Sequence, residues 1–586
     1  MTGGVVDYSP FQEAAARFPE IPREDFAEAL HFIDRDGTVY RGAEAVFRSL
    51  GTVRAGRGLI WAYEHVPGFA PVMETAYRAV ARNRMLASFF TRLFWGNDVR
   101  PPTYFTARDL FLRSLGTIYL IAFVSLWLQV DGLVGDQGIL PVASHLRFAR
   151  EQLGGDSYLL LPTLCWFSSS NAFLHFLSGA GAVVAVVLMA GLAPVLSLVL
   201  LFVFYLSLTI AGQTFLSFQW DILLLETGFL AIFFAPLRWR MKPDSDGSVS
   251  RPGLFLLKLL LFKLMLMSGV VKLTSGDESW WNLTALDFHY WTQPLPTPLG
   301  WWSDQHPEWF KKFSVAFCLV VEIVVPFFIW APRRLRHLAA VLLIGLQFAI
   351  AATGNYCFFN LLTIALCLLL FDDTIWRRMV GTARCAVRGP RSARALPIPA
   401  IAVLILTLPF NAMFLISAFK PRIEWPRPIA ALYGYVEPFR IVNGYGLFRV
   451  MTKSRGEIII EGSADGIDWL PYEFYWKPGD PNRAPPWVAP HQPRLDWQMW
   501  FAALGTYRHN PWFVNLLERL LRDAPDVTAL LAHNPFPSAP PRFVRARFFN
   551  YRFTTSDEHR STGAFWKREE RGEYLRTISL GDFERK

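Results

Sequence analysis

Long apolar runs, separated by short polar segments, occupy the chain from about Leu110 to Phe419. A helix that crosses a bilayer needs about 20 mostly apolar residues. The pattern therefore predicts an α-helical polytopic membrane bundle of about nine spans within residues 106–419. Little more than Gly191 separates the second run from the third, so we expect those two helices to form a tight hairpin. The nine runs are Leu110–Val130, Ala172–Ala190, Leu192–Ala211, Trp220–Leu237, Leu254–Leu273, Phe313–Trp330, His337–Thr353, Tyr356–Phe371 and Leu396–Phe419.

The segment before the runs, residues 1–100, has the mixed pattern of a soluble α/β unit. Alternating residues around Asp36-Gly37 predict a β-hairpin, because Asp-Gly is a favoured hairpin turn. Amphipathic helices are predicted over Ala43–Leu50 and Pro71–Phe90. The N-terminus lacks the apolar stretch of a cleavable signal peptide.

The segment after the runs, residues 420–586, changes to strand-like alternation at about Asn443. Turn signals at Asp465-Gly466 and Pro478-Gly479 separate the first candidate strands. We expect an α+β or β-sandwich-like domain. Its predicted strands are 447–452, 456–469, 472–480 and 543–554, and its predicted helices are Leu495–Leu504 and Trp512–Ala532.

Charge distribution indicates how the bundle is oriented. The chain is 52% apolar and 18% charged, with a net charge of +10. The arginines lie in short loops after the fourth, sixth and eighth runs, which excludes a nucleic-acid-binding face. Basic loops are typically cytoplasmic, whereas residues 273–310 carry five acids and no Lys or Arg. With nine spans, the N-terminus is cytoplasmic and residues 420–586 are external or lumenal.

Ionisable residues within the runs are the most informative chemical feature, because charges in lipid are costly and face the protein interior or a cavity. Asp221 and Lys272 lie near the outer ends of their runs and are predicted to pair, and Glu226 and Lys263 form a second, deeper candidate pair. A structural role for these pairs is favoured over catalysis or transport. Lys258 and Glu322 complete the set.

The loop 273–311 is aromatic and acidic. An interfacial aromatic belt explains this composition, and recognition of a client protein or lipid is the alternative. The client-binding candidates in this loop and in the C-terminal segment are Trp280, Trp281, His289, Tyr290, Trp487, Trp497 and Trp500.

Other site signatures are missing from the sequence. It has no P-loop, no HExxH and no nucleophile elbow. The five cysteines contain no CxxC pair. Buried packing explains them best, although Cys165 and Cys357 both fall near the outer face and could pair. We therefore predict no metal site and no cofactor.

Several long motifs resemble those of the lipase maturation factor family, over about Thr106 to Thr555. The resemblance implies a membrane protein that helps secreted lipases to fold, with a lumenal C-terminal domain. The motifs are "GLVGDQGILP" (132–141), "QWDILLLETGFLAIFFAP" (219–236), "SGVVKLTSGDESWWNLTALDFHYWTQPLPTPL" (268–299), "GNYCFFNLLT" (354–363), "NGYGLFRVMT" (443–452) and "YEFYWKPGDPNRAPPWVAPHQPRLDWQMWFAAL" (472–504).

Two fainter resemblances remain. Residues 33–50 and 73–87 are similar to the C-terminal half of DCC-type thiol-disulfide oxidoreductases, but no Cys precedes Cys165. That segment is expected to be a structural remnant. Residues 268–281 resemble the catalytic-lysine segment of gamma-carboxylases and HTTM proteins, which would place a catalytic lysine at Lys272.

Three functions follow from these observations. The favoured one is a folding factor for a secreted client such as a lipase, with membrane lipid as the other partner and no nucleic acid. The alternatives are a membrane enzyme using Lys272 and a transporter, which the absence of an inverted repeat disfavours. The expected location is the inner membrane of a bacterium, or the endoplasmic reticulum membrane in a eukaryote.

Overall fold

The computed structural model describes residues 5–53, 56–96, 98, 101–241, 249–380 and 397–584. It consists of two compact units. The first comprises Met1–Arg100 with Pro332–Arg334, and the second comprises Pro101–Ala331 with Leu335–Lys586. The helix bundle and the C-terminal region both belong to the second unit, and the domain boundary at residue 420 stays a prediction.

The first unit contains the predicted hairpin. Strands β1 and β2 pair antiparallel, with Phe32 opposite Tyr40. Gly37 has a φ of 84°, a conformation that glycine adopts without steric cost. The predicted helix over 71–90 is broken at Asn83, whose side chain donates to the Ala79 carbonyl. The elements are α1 Phe11–Arg17, α2 Arg23–Glu28, β1 His31–Ile33, β2 Val39–Arg41, α3 Gly42–Gly51, α4 Arg57–His65, α5 Phe69–Arg82 and α6 Arg84–Trp95.

The second unit begins with the helical bundle. Among the described residues, seven helices are long and apolar enough to cross a membrane. The fourth and eighth predicted runs form the shorter helices α13 and α20. The elements are α7 Phe105–Trp127, α8 Val130–Val134, α9 Val142–Leu153, α10 Ser157–Leu160, α11 Asn171–Met189, α12 Pro194–Ala211, α13 Gln219–Ile232, α14 Arg251–Thr274, α15 Glu278–Trp281, α16 Leu286–Thr292, α17 Pro298–Asp304, α18 Glu308–Ile323, α19 Arg333–Thr353, α20 Phe359–Leu368, α21 Asp373–Val380 and α22 Pro397–Phe419.

The predicted hairpin between α11 and α12 is present. Gly191 has a φ of 76°, and the Leu192 amide donates to the Val187 carbonyl at 3.0 Å, which closes the turn. Small residues on α11 allow α7 to approach closely: a Cβ at Gly181 would lie 2.3 Å from the Phe123 ring. Close packing through small residues is a principal source of helix association in membranes.

The C-terminal region is built on a four-stranded antiparallel sheet in the order β4-β3-β7-β8, with β5 and β6 forming a two-stranded sheet. The elements are α23 Arg427–Val436, β3 Arg455–Ser463, β4 Leu470–Pro471, β5 Glu473–Phe474, α24 Arg494–Ala503, α25 Pro511–Leu521, α26 Pro525–Thr528, β6 Leu531–His533, β7 Phe543–Phe553, α27 Ser556–Thr562, β8 Trp566–Ile578 and α28 Gly581–Glu584.

The predicted strand over 447–452 is wrong, because this segment has no ladder partner. One amide within it and one just before it bond to side chains of the bundle and its loops instead. The Met451 amide donates to Asp277 at 2.6 Å, and the neighbouring Gly446 amide donates to Gln219 at 3.1 Å.

Polar contacts place the C-terminal region at one end of the bundle. Four segments of the bundle make these contacts, namely those that follow α7, α12, α14 and α19. The contacting residues are, in the same order, Gln129, Phe215, Asp277 and Asn355. The opposite end has its own contacts. There the Asp373 carboxylate accepts from the first amides of α7 at 2.9 and 3.0 Å, and thereby caps that helix.

Candidate functional site

The most deeply buried charge pair joins the bundle to the C-terminal region. Asp221 lies in the first turn of α13, and Arg494 begins α24. The guanidinium donates to both carboxylate oxygens, at 2.9 and 3.0 Å, and both side chains have no exposed surface. Tyr205 also donates to Asp221, and the Phe215 carbonyl accepts from Arg494 at 2.7 Å. Opposite charges in this two-point geometry satisfy each other without water.

The expected pairing of Asp221 with Lys272 is therefore wrong. The reason is geometric: Asp221 is saturated by Arg494, whereas Lys272 points to Glu322 on α18. The Lys272 ammonium also lies 5.0 Å from the centre of the Trp280 ring. Both contacts favour a charged lysine.

The predicted Glu226–Lys263 pair is present, and it too involves the C-terminal region. Lys263 donates to Glu226 at 2.7 Å and to Asn411 at 2.8 Å. The second Glu226 oxygen accepts from the Asn443 amide at 2.9 Å and from the Tyr445 hydroxyl at 2.7 Å. The Glu226 carboxylate of the bundle thus holds Asn443 and Tyr445, in the segment that leads into the four-stranded sheet, in place.

The aromatic loop between α14 and α18 is fastened to the C-terminal region by several polar contacts. Arg455 on β3 is fully buried, pairs with Glu457 at 2.8 Å and donates to the carbonyls of Trp291, Gln293 and Pro294. The Trp500 indole donates to the Thr292 carbonyl at 2.8 Å. The Trp291 and Thr292 carbonyls belong to the last turn of α16, so Arg455 and Trp500 satisfy backbone acceptors at the C-terminal end of this helix.

Asp277 and Asn355 complete this attachment. Burial alone would raise the pKa of Asp277, but hydrogen bonds from the Met451 and Ser279 amides lower it below its usual value. Asn355 accepts from the Val488 and Ala489 amides at 2.8 and 3.0 Å and donates to the Pro486 carbonyl at 2.9 Å. The loop and the C-terminal region therefore form one continuous surface.

His289 lies beneath this surface. Its ring is 3.1 Å from the Tyr356 hydroxyl, which donates to Gln293 at 2.6 Å. Burial, with a smaller contribution from the Lys272 charge, lowers the pKa of His289 from 6.5 to about 4. The imidazole is therefore neutral at physiological pH.

The client-binding candidates separate into two groups by exposure. Trp280, Tyr290, Trp497 and Trp500 are buried, and Trp497 packs on Trp220 with ring centres 4.7 Å apart. His289 is partly exposed. Among the candidates, only Trp281 and Trp487 are exposed, at 64% and 55%.

Cysteine and metal chemistry receive no support from the described residues. Cys165 and Cys357 do not form the disulfide considered above and are buried free thiols, as is Cys367. Cys318 is a partly buried free thiol, and Cys385 lies outside the described residues. No group of three His, Cys, Asp or Glu side chains in the described ranges is placed to hold a metal ion.

Sequence reasoning missed the partners that the C-terminal region supplies. Arg494, Arg455 and Asn443 occur in polar segments where a charged or amide residue is ordinarily solvated. Within the apolar runs the carboxylates Asp221, Glu226 and Glu322 are matched in number by three lysines, so no local signal indicated that partners come from elsewhere.

Comparison with known proteins identifies this architecture. The family model described as "Lipase maturation factor transmembrane domain" matches residues 106–378, and "Lipase maturation factor C-terminal domain" matches residues 441–576. A chicken protein, "Lipase maturation factor 2", is 37% identical over 81% of this chain and 82% of its own length. The chain belongs to the lipase maturation factor family.

Other relatives agree with this assignment. The human "Lipase maturation factor 2" is 36% identical over 81% of this chain and 83% of its own length. The bovine "Lipase maturation factor 1" is 35% identical over 83% of this chain and 91% of its own length. The model described as "DCC1-like thiol-disulfide oxidoreductase" matches residues 3–89, which confirms the N-terminal resemblance. No solved structure matches this chain.

The Asp221–Arg494 pair generates the first prediction. Arg494→Met leaves Asp221 as an unpaired buried charge, which costs about 3–5 kcal/mol. The midpoint of thermal unfolding in detergent should fall sharply. The double variant Arg494→Met/Asp221→Leu should recover part of the loss, and Arg576→Met, at an exposed arginine of β8, should change little. Equal midpoints for the single and double variants would show that the two residues do not interact.

The depressed pKa of His289 generates the second prediction. The unfolded chain takes up a proton near pH 6.5, whereas the folded protein resists protonation down to about pH 4. The contribution of the neutral His289 ring to the free energy of unfolding is therefore fully present above pH 6.5. It is lost as the pH falls towards 4. His289→Gln should flatten the fall of the unfolding midpoint over this range.

The same measurement has an internal control. Asp496, whose pKa burial raises to about 6, titrates in the same window in both proteins. The difference between the wild-type and His289→Gln profiles therefore reports His289. Parallel profiles would show that the folded-state pKa of His289 is not depressed.

Proposed function

We propose that this protein is a membrane-embedded maturation factor that assists the folding of secreted lipases or other exported clients. The observation that carries the proposal is its similarity to lipase maturation factors over both the bundle and the C-terminal region, at 35–37% identity. In this chain, buried polar contacts join the bundle to the C-terminal region, which supports a function that the two parts carry out together.

The working surface that we propose is the aromatic loop together with the adjoining C-terminal segment. Trp281 and Trp487 are exposed, and so is Trp302 at 61%. Large exposed aromatic rings anchor protein interfaces. Since Arg455, Asp277 and Asn355 fix the backbone beneath them, the rings are presented with little loss of entropy on binding. Such a surface suits transient contact with apolar segments of a client that is still folding.

Lys272 fits a structural role better than the catalytic alternative. A catalytic amine needs a neutral nitrogen with a free lone pair. Contact with Glu322 and with the face of Trp280 stabilises the ammonium form instead. We therefore propose that the maturation factor acts by binding and not by covalent chemistry.

We further propose that the bundle crosses the membrane nine times, with the C-terminal region on the non-cytoplasmic side. Four alternate inter-helix segments contact the C-terminal region, after α7, α12, α14 and α19. Among the intervening segments, those after the fourth, sixth and eighth runs are rich in arginine, and the short turn between α11 and α12 carries none. The two shorter helices, α13 and α20, are each needed to keep this alternation. Cytoplasmic loops carry the excess of basic residues, which supports the orientation.

The exposed tryptophans provide the test of function. A secreted lipase is co-expressed with this protein in cells that lack other maturation factors, and secreted lipase activity is compared with membrane abundance. Trp281→Ala and Trp487→Ala should lower activity several-fold at unchanged abundance. Trp239→Ala should have no effect, because this ring is 80% exposed but belongs to an arginine-rich segment.

Two results would contradict the proposal. Lipase activity that is the same with and without the wild-type protein would exclude a role in lipase maturation. Activity that follows abundance in every variant would show that the rings serve only the fold.

The orientation gives a further prediction. Single cysteines replace Asp468, beyond β3, or Arg240, before α14, in a Cys385→Ser background; both positions are exposed. A membrane-impermeant thiol reagent applied to sealed cells should label position 468, and should label position 240 only after the cytoplasmic membrane is opened. Labelling of both positions from the same side would refute the nine-crossing arrangement.

A further inference from the structure

Helix α6 of the N-terminal unit carries a broad apolar face that is open to solvent. Met85, Leu86, Phe89, Phe90 and Leu93 have exposed fractions of 90%, 59%, 60%, 44% and 44%. At 100° per residue these positions cover one continuous arc of about 140°. No residue of this helix is buried, and exposed apolar arcs of this size are unusual on soluble units.

The charges around this face are of one sign. After Glu74 there is no acidic residue up to Trp95, whereas Arg78, Arg82, Arg84 and Arg92 fall in the same stretch. Arg84 also donates to the carbonyls of Ala27 and Glu28, at 3.0 and 2.8 Å, and thereby fastens the start of α6 to its own unit. The helix therefore combines large apolar side chains with an uncompensated positive charge.

The chain itself keeps α6 close to a bilayer. Only residues 96–104 separate the end of α6 from α7, the first helix long enough to cross a membrane. A segment of this length spans at most about 30 Å when fully extended. The helix consequently cannot leave the vicinity of the membrane surface.

We propose that α6 is an in-plane membrane anchor whose apolar face enters a lipid monolayer with anionic headgroups. A helix with an apolar face and basic flanks binds at the headgroup boundary by burying its side chains and by attraction to anionic lipid. The anchor gives the N-terminal unit a function that requires no thiol chemistry.

Site-specific photocrosslinking of the full-length protein tests this proposal. The photoreactive residue p-benzoylphenylalanine replaces either Phe89, on the apolar face, or Thr91, which is exposed on the other side of α6. The purified protein is placed in vesicles of equimolar phosphatidylcholine and phosphatidylglycerol that contain a fluorescent phosphatidylglycerol. Both variants must match the wild type in elution volume and thermal midpoint.

The proposal predicts a lipid adduct at position 89 that exceeds the adduct at position 91 several-fold. The double variant Arg82→Gln/Arg92→Gln should lower the adduct at position 89 in the anionic vesicles, since part of the attraction is electrostatic. A crosslinked protein dimer at position 89 would show that a second copy covers the face. Equal lipid adducts at both positions, or none at either, would show that α6 has no membrane-facing side. Each of these three results would overturn the proposal.

Discussion

The need to neutralise carboxylates inside an apolar bundle governs this structure. Helix α13 carries Asp221 and Glu226, both buried. A buried charge without a partner costs several kcal/mol. Bundle helices supply Lys263 and Tyr205, whereas Arg494, Asn443 and Tyr445 come from the C-terminal region. The carboxylates of Asp221 and Glu226 therefore have all their partners only when the C-terminal region is in place.

This constraint explains why the two parts of the family's shared architecture form one compact unit. A single apolar cluster continues from the bundle helices to Trp497 and Leu516 of the C-terminal region. The loop before α18 lies over this junction and is held by Arg455, Asp277 and Asn355. The exposed tryptophans of the proposed client surface therefore rest on backbone that both parts fix.

The sequence predicted those features whose cause is local. The length of the apolar runs predicted the long helices, Gly191 predicted the α11–α12 turn, and Asp36-Gly37 predicted the N-terminal hairpin. The alternation over 543–554 predicted β7, which the structure places over Phe543–Phe553.

Features that depend on distant partners escaped prediction. Arg494 and Asp221 are 273 residues apart, so no local pattern could pair them. Residues 447–452 alternate like a strand, but the segment has no ladder partner and the Met451 amide donates to Asp277. Strand β8 was missed because its sequence is dominated by exposed charges, and its pairing with β7 is what makes it a strand.

The bundle and the C-terminal region are held together by their buried contacts and not merely by the chain. The segment 420–424 is exposed and lies outside helices and strands, so a protease site placed between Pro421 and Arg422 allows the purified protein to be cut there. Size-exclusion chromatography in mild detergent then measures whether the fragments separate. We expect the two fragments to co-elute until a denaturant is added. A C-terminal fragment that elutes alone while the bundle stays folded would contradict it.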